Sequence, residues 1–146
     1  MKTTPSMNAR EKELYMYVAQ DATYATGNQA IFKASDFMGA VSTASTTTVF
    51  RFRPQDTVYT ASADFAPDLF TLTHTADAGI EVLKTVADAM ANPRGGFVVI
   101  QDDLGTAYSA TGASIGREMT DLRYPNIAST GTAVAVSAVA ITTVDA

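Results

Sequence analysis

The chain has no cysteine, a single histidine and few charges, and each shortage closes off a class of function. Without cysteine there are no disulfides, no thiolate zinc sites and no cysteine nucleophiles, and no redox clue to the compartment. Charged residues make up 17% of the chain against 47% hydrophobic ones, and Ala, Thr and Ser fill the gap. A surface of that kind is weakly hydrated and suits a protein partly covered by neighbouring subunits. The 10 basic and 15 acidic residues leave a net charge of -5, which repels phosphate backbones. No cluster of Lys or Arg offsets this, so no nucleic-acid partner is expected. No stretch approaches the roughly 20 apolar residues of a membrane span, so no membrane partner is expected either. Met1-Lys2-Thr3-Thr4-Pro5 runs into charged Arg10-Glu11-Lys12-Glu13 without an apolar core. That is not a signal peptide, and the expectation is a product made and used in the cytoplasm.

What is present reads as one α+β domain of 146 residues, long enough to bury roughly two-thirds of its unfolded surface. Residues 1–12 read as a flexible arm. In Leu14-Tyr15-Met16-Tyr17-Val18-Ala19, alternation places Leu14, Met16 and Val18 on one face of a strand. The charged Glu11-Lys12-Glu13 lead-in also suits a helix, and the strand is favoured because Tyr and Val pack well on a pleated surface. Residues 20–30 read as a loop, followed by the apolar piece 30–33 and a short turn or strand around 37–41. The run 42–48 is almost wholly Ser, Thr and Ala. It fits either a loop or a β-segment whose hydroxyls meet across strands. Thr48-Val49-Phe50-Arg51-Phe52-Arg53 is a strand that stops at Pro54.

Leu69-Phe70-Thr71-Leu72-Thr73-His74 alternates as a strand, and Asp77 is placed as a helix cap or first-turn acid. Ile80, Leu83, Ala87 and Met90 then recur at helical spacing as the expected buried stripe. Asn92-Pro93 and Gly95-Gly96 end the helix, and Phe97-Val98-Val99-Ile100 reads as a strand buried on both faces. The expected fold is mostly β-sheet, with this amphipathic helix in a right-handed βαβ unit over about 69–101. A long strand over 132–144 closes the chain, with a bulge near Ser137 to reconcile Val134 and Val136 with Val139 and Ile141.

Candidate chemistry is thin. His74 lies among threonines with Asp77 nearby. A base needs an activated partner and a metal site usually more than one strong ligand, so a hydrogen-bonded structural histidine is the favoured reading. Asp102 and Asp103 follow a buried strand, where carboxylates gather at ligand crevices or bind calcium with loop carbonyls. Asp-Asp-Leu-Gly is also ordinary turn chemistry, and the calcium-loop spacing is missing, so the turn is favoured and these two are only weak metal candidates. Thr111-Gly112-Ala113-Ser114-Ile115-Gly116-Arg117 lacks the Gly-Lys-Ser/Thr ending of a phosphate loop, and Ser109 and Ser114 lack a nucleophile elbow. No catalytic residue and no cofactor are assigned. Arg51 and Arg53 share one strand face while Phe50 and Phe52 share the other. They are either a solvated edge or one side of an inter-subunit pairing with Asp102, Asp103 or Asp121.

Taken in order, several segments resemble a group of small virion structural proteins of tailed phages, marine ones especially. They are the Tyr-rich first strand, Ala34-Ser35-Asp36-Phe37-Met38-Gly39, Thr47-Thr48-Val49-Phe50-Arg51-Phe52, Phe70-Thr71-Leu72-Thr73, the helix 81–90, and Gly96-Phe97-Val98-Val99-Ile100-Gln101-Asp102-Asp103. The likeness spans residues 14–104 and is one of element order. It implies a non-enzymatic protein of the particle that decorates or cements the capsid shell by contacts with other virion proteins and with itself. The rival expectations are a tail-tube or fibre subunit that pairs through the C-terminal strand, and, ranked last, a small ligand-binding domain or enzyme using Asp102-Asp103.

Overall fold

The computed structural model describes residues 12–20, 29–54, 67–91, 95–104 and 120–142. Residues 1–11 of the expected 1–12 arm, the glycine-rich 111–117 run and the serines at 109 and 114 lie outside them. Among these residues seven strands form two sheets: β1 (Leu14–Ala19), β2 (Gln29–Lys33), β3 (Phe37–Ala44), β4 (Thr47–Phe52), β5 (Asp68–His74), β6 (Gly96–Asp102) and β7 (Val136–Thr142). One helix, α1, spans Gly79–Met90. The fold is therefore mostly β with a single α-helix among the described residues. A three-stranded sheet runs β2-β1-β6 and a four-stranded sheet runs β3-β4-β5-β7.

The expected βαβ unit is corrected by this topology. Strand, helix and strand follow in order, but β5 and β6 belong to different sheets, so α1 joins the sheets instead of crossing over one. The parallel partner of β6 is β1. Periodicity predicts elements, whereas strand pairing is decided by contacts far apart in the chain. Gly95 lets β6 start beside β1: at φ 67° it sits where a Cβ would run into the Glu13 carbonyl and Lys12.

Within the strands, alternation maps onto burial. Leu14, Met16 and Val18 of β1 and Asp68, Phe70, Leu72 and His74 of β5 all point inward. The 42–48 run adopts its strand alternative. β3 and β4 form a hairpin turning at Ser45-Thr46, with Ser42 and Thr48 hydroxyls 3.0 Å apart and those of Thr43 and Thr47 2.9 Å apart. β2 passes through a 3-10 turn, Ala34–Asp36, into β3 and so carries the chain from one sheet to the other.

Three expectations shift. The fully buried residues of α1 are Val82 and Val86; of the expected stripe Leu83 and Met90 pack against the core, while Ala87 is exposed and Ile80 is 72% exposed. Two apolar stripes share this helix, and helical spacing does not choose between them. Asp77 does not cap α1; it adopts φ 63°, and the N-cap position belongs to Ala78. β6 is buried only from Val99 onward, since Phe97 is 56% exposed. The last strand is shorter than 132–144, but its bulge falls at Ser137. Thr73 faces Ala138 while His74 faces Val136, which lets both Val136 and Val139 turn inward.

The core joins the sheets through phenylalanines. Phe32 of β2 lies 4.8 Å from Phe52 and 5.2 Å from Phe70 between ring centroids, and Phe50 stacks on Phe70 at 5.0 Å. Phe70→Ala is expected to lower unfolding free energy by about 3–5 kcal/mol, read by urea denaturation. A loss under about 1 kcal/mol would show that the cluster does not hold the sheets together.

Candidate functional site

His74 is buried at the end of β5, and its ring is fully engaged. Nδ1 lies 2.8 Å from the Thr75 carbonyl and Nε2 lies 2.9 Å from the Thr48 hydroxyl. A carbonyl only accepts, so Nδ1 carries the proton and Nε2 accepts from Thr48. The Thr48 oxygen then accepts from Ser42, and the line of hydroxyls ends under α1. A Cβ on Gly79 would overlap the Ser42 hydroxyl, so glycine permits this approach of helix to strand. The arrangement satisfies buried polar groups inside the sheet.

The acidic candidates serve backbone amides. The Asp102 carboxylate accepts from the Leu104 amide at 3.1 Å, the bond of an Asx turn. Asp103 accepts from the Gln101 side chain at 3.0 Å and from the Val139 amide of β7 at 2.8 Å. Asp121 accepts from Val99 at 2.9 Å while its own amide donates to the Val99 carbonyl at 3.0 Å, closing the free side of β6. Arg51 and Arg53 stand on the other sheet, opposite in facing to buried Phe50 and Phe52. The solvated-edge reading of this pair is corrected, because β4 is an inner strand between β3 and β5. Arg51 is half-buried and Arg53 exposed. The structure thus gathers the aspartates around β6 and leaves the arginines apart from them. Among the described residues no three His, Asp or Glu side chains converge as metal ligands.

A surface that sequence reasoning missed lies on the outer face of the three-stranded sheet. Tyr15 pairs in register with Phe97 on one side and Lys33 on the other, and Tyr17 pairs with Ile31, so these side chains share a face. Tyr15, Ile31 and Phe97 are 41%, 45% and 56% exposed, and the Tyr17 and Phe97 rings are 5.7 Å apart. Gln29 donates to the Tyr17 hydroxyl at 3.0 Å on the rim. The signal was present in β1, where tyrosines occupy the parity that a half-buried strand leaves polar.

The two edges of the four-stranded sheet differ. At β7, the outward amides of Val139 and Ile141 donate to Asp103 and, at 2.7 Å, to Gln20. At β3, nothing among the described residues pairs with the outer edge. A cleft of about 280 Å³ lies between the 120–124 segment and β7, lined by Leu122, Tyr124, Val134 and Val136. The Tyr124 hydroxyl is buried without a hydrogen-bond partner, and burial pushes its pKa up.

No protein-family model, curated protein or solved structure matches the chain.

Two substitutions test these polar groups. Thr48→Val is expected to cost about 1–3 kcal/mol in chemical denaturation, because it strands the buried His74 nitrogen. A neutral effect would mean that the hydroxyl line is incidental. Tyr124→Phe is expected to leave neutral-pH stability unchanged or raised, since it removes a hydroxyl that has no partner. Above the phenol's unfolded pKa of about 10, the unfolded chain has lost a proton that the folded chain keeps. Wild-type stability is therefore intact below that pH and falls as pH rises toward the elevated folded value. Urea titrations across this range should show a flatter decline for Tyr124→Phe, and an equal decline in both proteins would refute the assignment.

Proposed function

We propose that the protein is a virion structural protein that decorates or cements a capsid shell through protein–protein contacts. The observation that carries this reading is the exposed apolar face of Tyr15, Ile31 and Phe97 with Tyr17 beside them. Contiguous exposed apolar surface with a polar rim is the ordinary mark of a protein docking site. The low charge of the chain and the element order shared with small tailed-phage virion proteins support the same conclusion. The aspartates do not recommend themselves as the docking chemistry, because their oxygens already hold backbone amides of their own chain. Nor do they favour a ligand-binding role.

Docking through the sheet face adds binding free energy to the assembled shell, which raises its resistance to heat by mass action. Shells carrying the protein should melt at a higher temperature than shells lacking it, as followed by differential scanning fluorimetry. Phe97→Glu, exposed in the free protein, should weaken shell binding at least tenfold and leave the fold intact by circular dichroism. Identical melting of the two kinds of shell would end the cement reading.

A further inference from the structure

We infer that two copies of this chain pair through β3, edge to edge and antiparallel about a twofold axis, to form one continuous eight-stranded sheet. This deepens the assembly reading above by naming the self-contact, and it rests on a different surface from the shell-facing one.

The sheet β3-β4-β5-β7 has two edges, and a strand edge presents unpaired amides and carbonyls that a second strand can complete. Proteins commonly guard such edges with charge, proline or cover. The β7 edge is guarded: Asp103 and Gln20, reaching from the three-stranded sheet, occupy the amides of Val139 and Ile141. The β3 edge is not. Its eight residues, Phe-Met-Gly-Ala-Val-Ser-Thr-Ala, include no charge and no proline. Beyond β4 and the hairpin turn, the bond given for this strand is the Phe37 amide to the Ala34 carbonyl, at its very start.

The occupant follows from charge and symmetry. A chain of net charge -5 repels its own copies over most of its surface, and this uncharged strip is where two can approach. A β3 strand is complementary to itself in the antiparallel sense, because the same backbone groups face each other across a twofold. Register irregularities lie between Phe37 and Gly39 and between Ser42 and Ala44, and Gly39 itself has φ 142°, which leaves Ala40, Val41 and Ser42 as regular backbone. A twofold at Val41 would set Val41 opposite its own copy and Ala40 opposite Ser42, keeping each side chain on its own face. Met38 and Val41 flank it at 59% and 42% exposure and supply apolar area that pairing removes from water.

The same asymmetry decides how far assembly goes. Pairing β3 with β3 consumes the open edge of each copy, and the remaining β7 edges are guarded. The assembly closes at two and does not grow into a tube or fibre. A growing array would need β3 to meet β7, and the Asp103 and Gln20 side chains stand in that place.

Sedimentation velocity on the free full-length protein, from about 1 μM to a hundredfold higher, tests this without any shell. The expected result is a monomer–dimer equilibrium with no larger species. Val41→Lys should weaken the dimer at least tenfold, by bringing two cations together at the axis, while circular dichroism stays unchanged. Hydrogen exchange in 37–44 should slow with concentration in the wild type, and exchange in β7 should not. A monomer at every concentration, a dimer indifferent to Val41→Lys, or species that lengthen with concentration would each overturn the inference. None of these outcomes touches the shell-melting result, so the two readings fail separately.

Discussion

Ring-to-ring packing between the sheets is the contact on which the remaining structure depends. Phe32 comes from the three-stranded sheet, and Phe50, Phe52 and Phe70 come from neighbouring strands of the other. A chain with no disulfide and few charges has little else with which to join two sheets. Aromatic rings remove large apolar areas per residue and favour a limited set of tilted or offset geometries. They set the separation of the sheets, and the 3-10 turn between β2 and β3 has to bend the chain to suit it.

Polar side chains then finish what the core begins. Glu13 ties the 3-10 turn by accepting from the Ser35 hydroxyl and amide. Asp103, Gln20 and Asp121 complete backbone amides that strand pairing leaves open. Thr48, Ser42 and His74 satisfy one another beneath the helix. Each of these groups could have been taken for chemistry in a linear reading. In the fold they answer a backbone that must not be buried unpaired. This completion is uneven: among the described residues one sheet face stays exposed and one strand edge pairs with no further strand. Val136 and Val139 belong to the core, so the end strand is structural before it can be an assembly element.

Much of the fold was legible locally. Alternation located β1, β4 and β5 with their inward residues, and the clash of parity between Val136 and Val139 located the bulge at Ser137. Helical spacing found α1 but not its buried stripe, since Ile80 and Val82 both lie on plausible apolar faces. The candidate acids were legible as turn residues, yet nothing local marks Asp103 as the guard of a strand 36 positions away. The outer apolar face was half legible, in the second-parity tyrosines of β1, and was hidden in β6 by an apolar run that reads as wholly buried.

The amino-acid sequence by itself determined the mostly β character, the position of most elements, and the lack of thiol and disulfide chemistry. These follow from residue type and short-range periodicity, which a single strand or helix already expresses. The tertiary structure alone decided which strands pair, that β5 and β6 part into different sheets, and which of two edges stays open. Those outcomes depend on contacts between residues distant in the chain. Their free energies arise only when rings from both sheets and side chains from both edges are brought together.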